Sequence, residues 1–195
     1  MTTGIFGGAF DPPHVGHVVL VQSAALRFDL DRILVVPTGD PPHKEAQTPA
    51  GVRFRLAELA FERLPGVELW DRELHAVGPS YTIESVSAAE ERLPGEELLV
   101  LVGADQLAHF LEWRDPEAIL ERARVGVATR PGYPVETLEP VLSRLSRRDR
   151  VELFRIPSYP LSSTALRGRI ARGEAVDGLV PRPVAAEIER LGLYR

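Results

Sequence analysis

Apolar residues in this chain recur with two alternating periods, and that alternation limits the possible folds more than any other feature. Short runs rich in β-branched residues occupy 2–6, 33–36, 67–70, 98–102, 124–128 and 151–156. Segments with the spacing of amphipathic helices fall at 15–28, 52–64, 83–93, 116–122 and 135–145, and 166–172 and 184–191 close the chain. Strands apolar on both sides need helices on both faces, and the alternation supplies them. The expected fold class is α/β, with a single doubly wound parallel sheet. A chain of 195 residues with 44% hydrophobic content buries one substantial core but not two. One domain is therefore expected over 1–195, with a helical C-terminal part from about residue 162.

The polar clusters follow the strands. Residues 7–17, 37–44, 103–105, 129–132 and 159–167 each begin where an apolar run stops. In a parallel sheet those points share one edge, and open α/β sheets bind ligands in the crevice beyond the carboxyl ends of their strands.

Composition narrows the ligand. The formal net charge of −5 argues against a general nucleic-acid surface, so an anionic ligand has to be met locally. No apolar stretch approaches the roughly 18 residues of a membrane span, and no basic leader precedes an apolar run, so a cytoplasmic protein without a membrane partner is expected. Zero cysteines remove disulfides and thiolate metal sites together. Of 23 basic residues 22 are arginines, and Lys44 is the single lysine. A compact ammonium serves a different geometry from a planar guanidinium, which makes Lys44 a functional candidate.

GIFGGAFDPPHVGH runs from the first strand into the first helix. Its glycines do not form GxGxxG and the lysine is not in a GxxxxGK[ST] loop, so hydride-transfer and P-loop readings lose their support. Gly7 and Gly8 permit close backbone approach. Pro12 and Pro13 keep the preceding residues out of the helical region, so the helix should open near His14. His14 and His17 then share one face of the first turn, where free amides and the helix dipole favour phosphate. As metal ligands they lack a third partner, and no metal site is expected.

PTGDPPHK sets His43 and Lys44 on a proline-stiffened loop after the second strand. SSTALR offers Ser162, Ser163 and Thr164 as cap and first-turn residues, with Arg167 one turn on. An arginine at the positive end of a helix dipole is unfavourable unless an anion compensates.

Together GGAFDPPHVGH and LSSTALR resemble the paired HxGH and ISSTxxR signatures of the nucleotidyltransferase superfamily, which has a Rossmann-like fold. PPHK, PSYTIES, GADQLAHFLEW, TRPG and LVPRPVAAEIERLGLY are similar in order and spacing to bacterial nicotinate-nucleotide adenylyltransferases. The resemblance covers essentially the whole chain.

It implies transfer of the adenylyl group of MgATP to nicotinate mononucleotide, giving nicotinate adenine dinucleotide and pyrophosphate in NAD biosynthesis. It also implies roles. His14 and His17 hold ATP phosphates and stabilise charge at the transferring phosphorus, Ser163, Thr164 and Arg167 hold the triphosphate, and Lys44 faces the substrate phosphates. The ATP site would also draw on Gly7, Gly8, Ala9, Phe10, Gly103, Asp105 and Arg130. Asp105 lies at a nucleotide sugar, Trp113 stacks on the pyridine ring, and Thr82 with the backbone of Arg114 meets the nicotinate carboxylate. Arg114 departs from the family, where an aromatic is common, which leaves the acid-to-amide preference open. Mg²⁺ would arrive with ATP, the partners would be the two small-molecule substrates, and a homo-oligomer is left open. Phosphopantetheine adenylyl transfer is the alternative within the same chemistry, and a non-catalytic nucleotide-binding regulator is the alternative outside it.

Overall fold

The computed structural model describes residues 1–41 and 46–195. Six strands, β1 (Thr2–Gly8), β2 (Arg32–Pro37), β3 (Val67–Leu69), β4 (Glu97–Gly103), β5 (Ala123–Thr129) and β6 (Val151–Arg155), pair in parallel in the order β3-β2-β1-β4-β5-β6. This is the doubly wound α/β sheet expected from the alternation.

Side chains alternate across the strands, and each face has its own cover. Phe6, Ile33, Val35, Leu99 and Leu101 form one apolar cluster with Leu20, Val21 and Ala24 of α1 (Val15–Phe28) and Ala57 and Phe61 of α2 (Ala50–Phe61). Ile5, Leu34, Val36, Val100, Val125 and Val127 cluster on the other face with Val86 and Ala89 of α3 (Thr82–Arg92). Between β4 and β5 come the short α4 (Ala104–Leu107) and then α5 (Pro116–Arg122), whose Ile119 and Leu120 join the second cluster.

The segment 135–145 departs from expectation. It is not one helix but a 3₁₀ turn, Val135–Leu138, followed by α6 (Glu139–Leu142). A helix begun at residue 135 would need an amide hydrogen on Pro140, which has none, so the α-helix restarts with that proline in its first turn. Beyond β6, α7 (Ser163–Ala171) and α8 (Arg182–Leu191) pack on the outer side of α2. There Leu56, Leu166, Val180, Val184 and Ile188 make a third cluster.

The chain leaves β1 towards β2 and leaves β4 towards β5, so a crevice opens between the carboxyl ends of β1 and β4. Gly7, Gly8 and Gly103 lie at its floor as the last residues of those strands.

Candidate nucleotide-binding site

Residues from all five post-strand clusters line one cleft of about 790 Å³. Its geometry starts at the exit of β1. Phe10 has φ of 50°, a left-handed conformation uncommon for a side chain of this size. Its ring is buried among Phe6 and Phe61 and meets the His17 ring edge-on at 5.3 Å. Burial of that ring offsets the backbone cost. A Cβ on Gly8 would press to 3.1 Å from the Phe10 ring, whereas Gly7 has only the Val36 carbonyl at 4.0 Å and keeps open room.

α1 opens at His14, as the two prolines dictate. The His14 amide donates to His17 Nδ1 at 3.1 Å, so a helix-start donor is satisfied within the motif. The neutral His17 ring therefore carries its proton on Nε2. The imidazoles stack at 3.7 Å, and a Cβ on Gly16 between them would press to 3.0 Å from His14 Nδ1, which accounts for the spacing HxGH. Burial lowers the His14 pKa to about 4, and burial followed by the neighbouring His14 charge holds His17 well below its usual value. Stacked so closely, the rings cannot both be charged. In the free protein they are neutral donors.

The SSTALR segment closes onto this turn. Ser162 caps α7, accepting from the Ala165 amide at 3.1 Å. Ser163 Oγ donates to the Pro12 carbonyl at 2.9 Å, and Arg167 donates to the Asp11 carbonyl at 2.7 Å and to Thr164 Oγ1 at 3.3 Å. Two motifs at opposite ends of the chain are thus bonded together. Arg167 has no carboxylate partner among the described residues, and its Nε and His14 Nδ1 are buried without hydrogen-bond partners there. Buried unpaired polar atoms are costly, and their placement here favours an anion.

A second group of lining residues surrounds Tyr81 and Trp113. Thr82 begins α3, and Tyr81 precedes it. Trp113 ends the 3₁₀ turn Phe110–Glu112 and leans on the Phe110 ring at 5.2 Å. Arg114 follows with its guanidinium 4.7 Å from the centre of the Tyr81 ring. Asp105 and Arg130 are exposed on the walls, and Ala9 lies at the β1 exit. His43 and Lys44 fall outside the described residues.

Four residues that shape the site carried no role in the sequence reading. Arg53 of α2 is 1% exposed and donates to the carbonyls of Thr48, Ala9 and Gly39 at 2.8 to 2.9 Å. Its burial pushes its pKa down. The signal was present: Arg53 precedes Leu56, Ala57 and Phe61 at helical spacing, on the buried stripe of α2. Asp11, 4% exposed, accepts from the Gln47 amide at 2.9 Å and from the Tyr194 hydroxyl at 2.6 Å. Burial, followed by this bond, raises the Tyr194 pKa. Glu73, also buried, accepts from Ser85 Oγ at 2.6 Å, and burial pushes its carboxyl up.

A doubly wound sheet with a helix-start histidine pair and a second capped helix at its switch point defines a nucleotide-binding α/β protein of the nucleotidyltransferase class. Residues 5–169 match the cytidylyltransferase-like family model. The chain belongs to the nicotinate-nucleotide adenylyltransferase family, with relatives similar over its whole length. A probable nicotinate-nucleotide adenylyltransferase of Rubrobacter xylanophilus is 39% identical, with 100% of this chain and 92% of that protein covered. One of Thermus thermophilus is 38% identical, with both chains fully covered. Among solved structures, Plasmodium falciparum nicotinic acid mononucleotide adenylyltransferase complexed with NaAD superposes with a TM-score of 0.80 at 19% identity, covering 99% of this chain and 97% of that one. At that identity the likeness speaks for the fold.

Proposed function

We propose that this protein transfers the adenylyl group of MgATP to nicotinate mononucleotide, giving nicotinate adenine dinucleotide and pyrophosphate in NAD biosynthesis. The observation that carries this reading is that one cleft is lined by two groups of side chains. His14, His17, Ser163, Thr164 and Arg167 belong to two segments bonded to each other, and Thr82, Trp113 and Arg114 come from the segments around the Tyr81 ring. Two nucleotides laid end to end would place their phosphates near the histidines and the pyridine near the indole.

In that arrangement the acceptor's 5′-phosphate oxygen attacks the α-phosphorus of ATP. A new P–O bond forms as the bond to the β-phosphate oxygen breaks, and pyrophosphate leaves. The nucleophile is already an anion at neutral pH, so no protein base or covalent intermediate is needed. What the reaction requires is in-line alignment and stabilisation of charge on the transferring group. His17 donates from Nε2, the Arg167 guanidinium faces the triphosphate, and the amides at the starts of α1 and α7 add partial positive charge. Gly7, Gly8, Ala9, Phe10 and Gly103 shape the ATP end, Asp105 takes a sugar hydroxyl, Arg130 flanks the phosphates, and Lys44 meets the acceptor's phosphate. Mg²⁺ enters with ATP, held by phosphate oxygens and water.

The test is pyrophosphate release from MgATP with nicotinate mononucleotide, nicotinamide mononucleotide or phosphopantetheine as sole acceptor. Release with the pyridine nucleotides alone supports the proposal. Release only with phosphopantetheine, or ATP binding with no release from any acceptor, overturns it.

A further inference from the structure

Two buried carboxyls line the cleft, Asp11 and Glu73, and neither has an ion-pair partner among the described residues. Asp11 is taken up by the Gln47 amide and the Tyr194 hydroxyl. Glu73, in the 3₁₀ turn Arg72–Leu74 between β3 and α3, meets hydroxyls instead. Ser85 Oγ donates to it at 2.6 Å. Ser80 Oγ accepts the amides of Gly39 at 3.1 Å and Asp40 at 3.2 Å, so its own proton is free for the Glu73 carboxyl. Burial raises the Glu73 pKa, and the hydroxyls of Ser85 and Ser80, then the Arg72 charge and the Gly39 amide, oppose that rise. The backbone follows the same pattern. The Ser80 amide donates to the Asp40 carbonyl at 2.9 Å, and a Cβ on Gly39 would stand 2.0 Å from the Glu73 carbonyl oxygen. The loop leaving β2 is thus bonded to Ser80 and packed on Glu73 with no room for a side chain between them.

Between Ser80 and Ser85 lie Tyr81 and Thr82, both on the cleft wall, where α3 starts without a side-chain cap among the described residues. The chain on both sides of them is therefore tied to one carboxyl. A buried carboxylate with no cation beside it is stable only while its donors stay in place, so the carboxyl and the turn hold each other. We propose that Glu73 is a positioning residue that, through the Ser80 and Ser85 hydroxyls, holds the Tyr81–Thr82 turn in the geometry that receives the pyridine nucleotide. This rests on the adenylyl-transfer reading above. In Glu73→Gln, whichever way the amide turns, a single oxygen must serve both hydroxyls or leave one unpaired. The histidine turn and the start of α7 share none of these bonds, so the effect falls on the acceptor and not on ATP.

The experiment measures kcat and KM for both substrates by pyrophosphate release in the wild type, Glu73→Gln, Ser80→Ala and the double variant. In each single variant KM for nicotinate mononucleotide rises about tenfold, while kcat and KM for ATP stay within about twofold. Because the two residues act through one chain of bonds, the double variant raises that KM no further than Glu73→Gln does. A KM for nicotinate mononucleotide within about twofold of the wild type in Glu73→Gln overturns the assignment. So does an equal rise in KM for ATP, or a double variant in which the two effects multiply. If Glu73→Gln does not fold, Ser80→Ala decides by the same criteria. A wild type that turns over nicotinate mononucleotide, with variants that behave like it, overturns the role of Glu73 alone. A wild type that uses neither pyridine mononucleotide overturns adenylyl transfer with it.

Discussion

His17 makes the sharpest single-residue test, because its Nδ1 is occupied by the His14 amide and only Nε2 is left for substrate. Removal of one preorganised donor of this kind costs about 10²- to 10³-fold in rate. His17→Ala is expected to lose turnover on that scale with little change in KM for the pyridine nucleotide, and near-normal turnover would take His17 out of the reaction. Its neighbour makes a prediction about stability. The His14 pKa is about 4 in the folded chain, against 6.5 for a histidine in water. Between those values the unfolded chain binds more protons, so stability falls as the pH drops. Urea unfolding at pH 7 and at about pH 4.5 should show His14→Gln losing about 2 to 3 kcal/mol less than the wild type on acidification. Equal losses would mean that His14 is not held neutral. At the far end, Trp113→Ala should weaken the pyridine nucleotide more than ATP. An equal loss of both would end the stacking assignment.

At the scale of elements, the loops of the cleft are fixed by what lies under them. Arg53 reaches out of α2 to the exit of β1 through Ala9, to the exit of β2 through Gly39, and to Thr48 just before its own helix. One planar guanidinium holds three carbonyls, a geometry that a lysine ammonium does not reproduce. Arg53→Met leaves those acceptors buried and unpaired, and a loss of about 2 to 4 kcal/mol is expected in urea unfolding. KM for ATP should rise in the same variant, with Arg53→Lys in between. Stability unchanged in Arg53→Met would show that the loops hold themselves. The helices themselves were legible because their signals are local: the Pro-Pro start of α1 and the serine cap of α7 lie within a few residues of the amides they serve. The break at Pro140 was local too, yet the apolar period across 135–145 masked it.

For the molecule as a whole, the C-terminal helices serve as more than cover for α2. After α8 the chain turns back at Gly192 and Tyr194, both with positive φ, and the tyrosine hydroxyl bonds to Asp11 behind the histidine turn. The end of the chain thereby holds its beginning. Tyr194→Phe removes the hydroxyl and its bond to Asp11, with an expected cost of about 1 to 2 kcal/mol and a rise in KM for ATP. An unchanged KM would confine Tyr194 to a structural role.

By itself the sequence determined the sheet, most of its helices and the edge where the polar clusters gather, because each is written in a local period or in the residue that starts a helix. It also marked the HxGH and SSTxxR segments that meet at the cleft, since each is contiguous. Tertiary structure alone decided that the two histidines stack and stay neutral, that Arg53 and Asp11 brace the loops, and that Arg114 lies on Tyr81. Those properties depend on burial and on contacts between residues far apart in the chain, and neither leaves a periodic trace in the sequence.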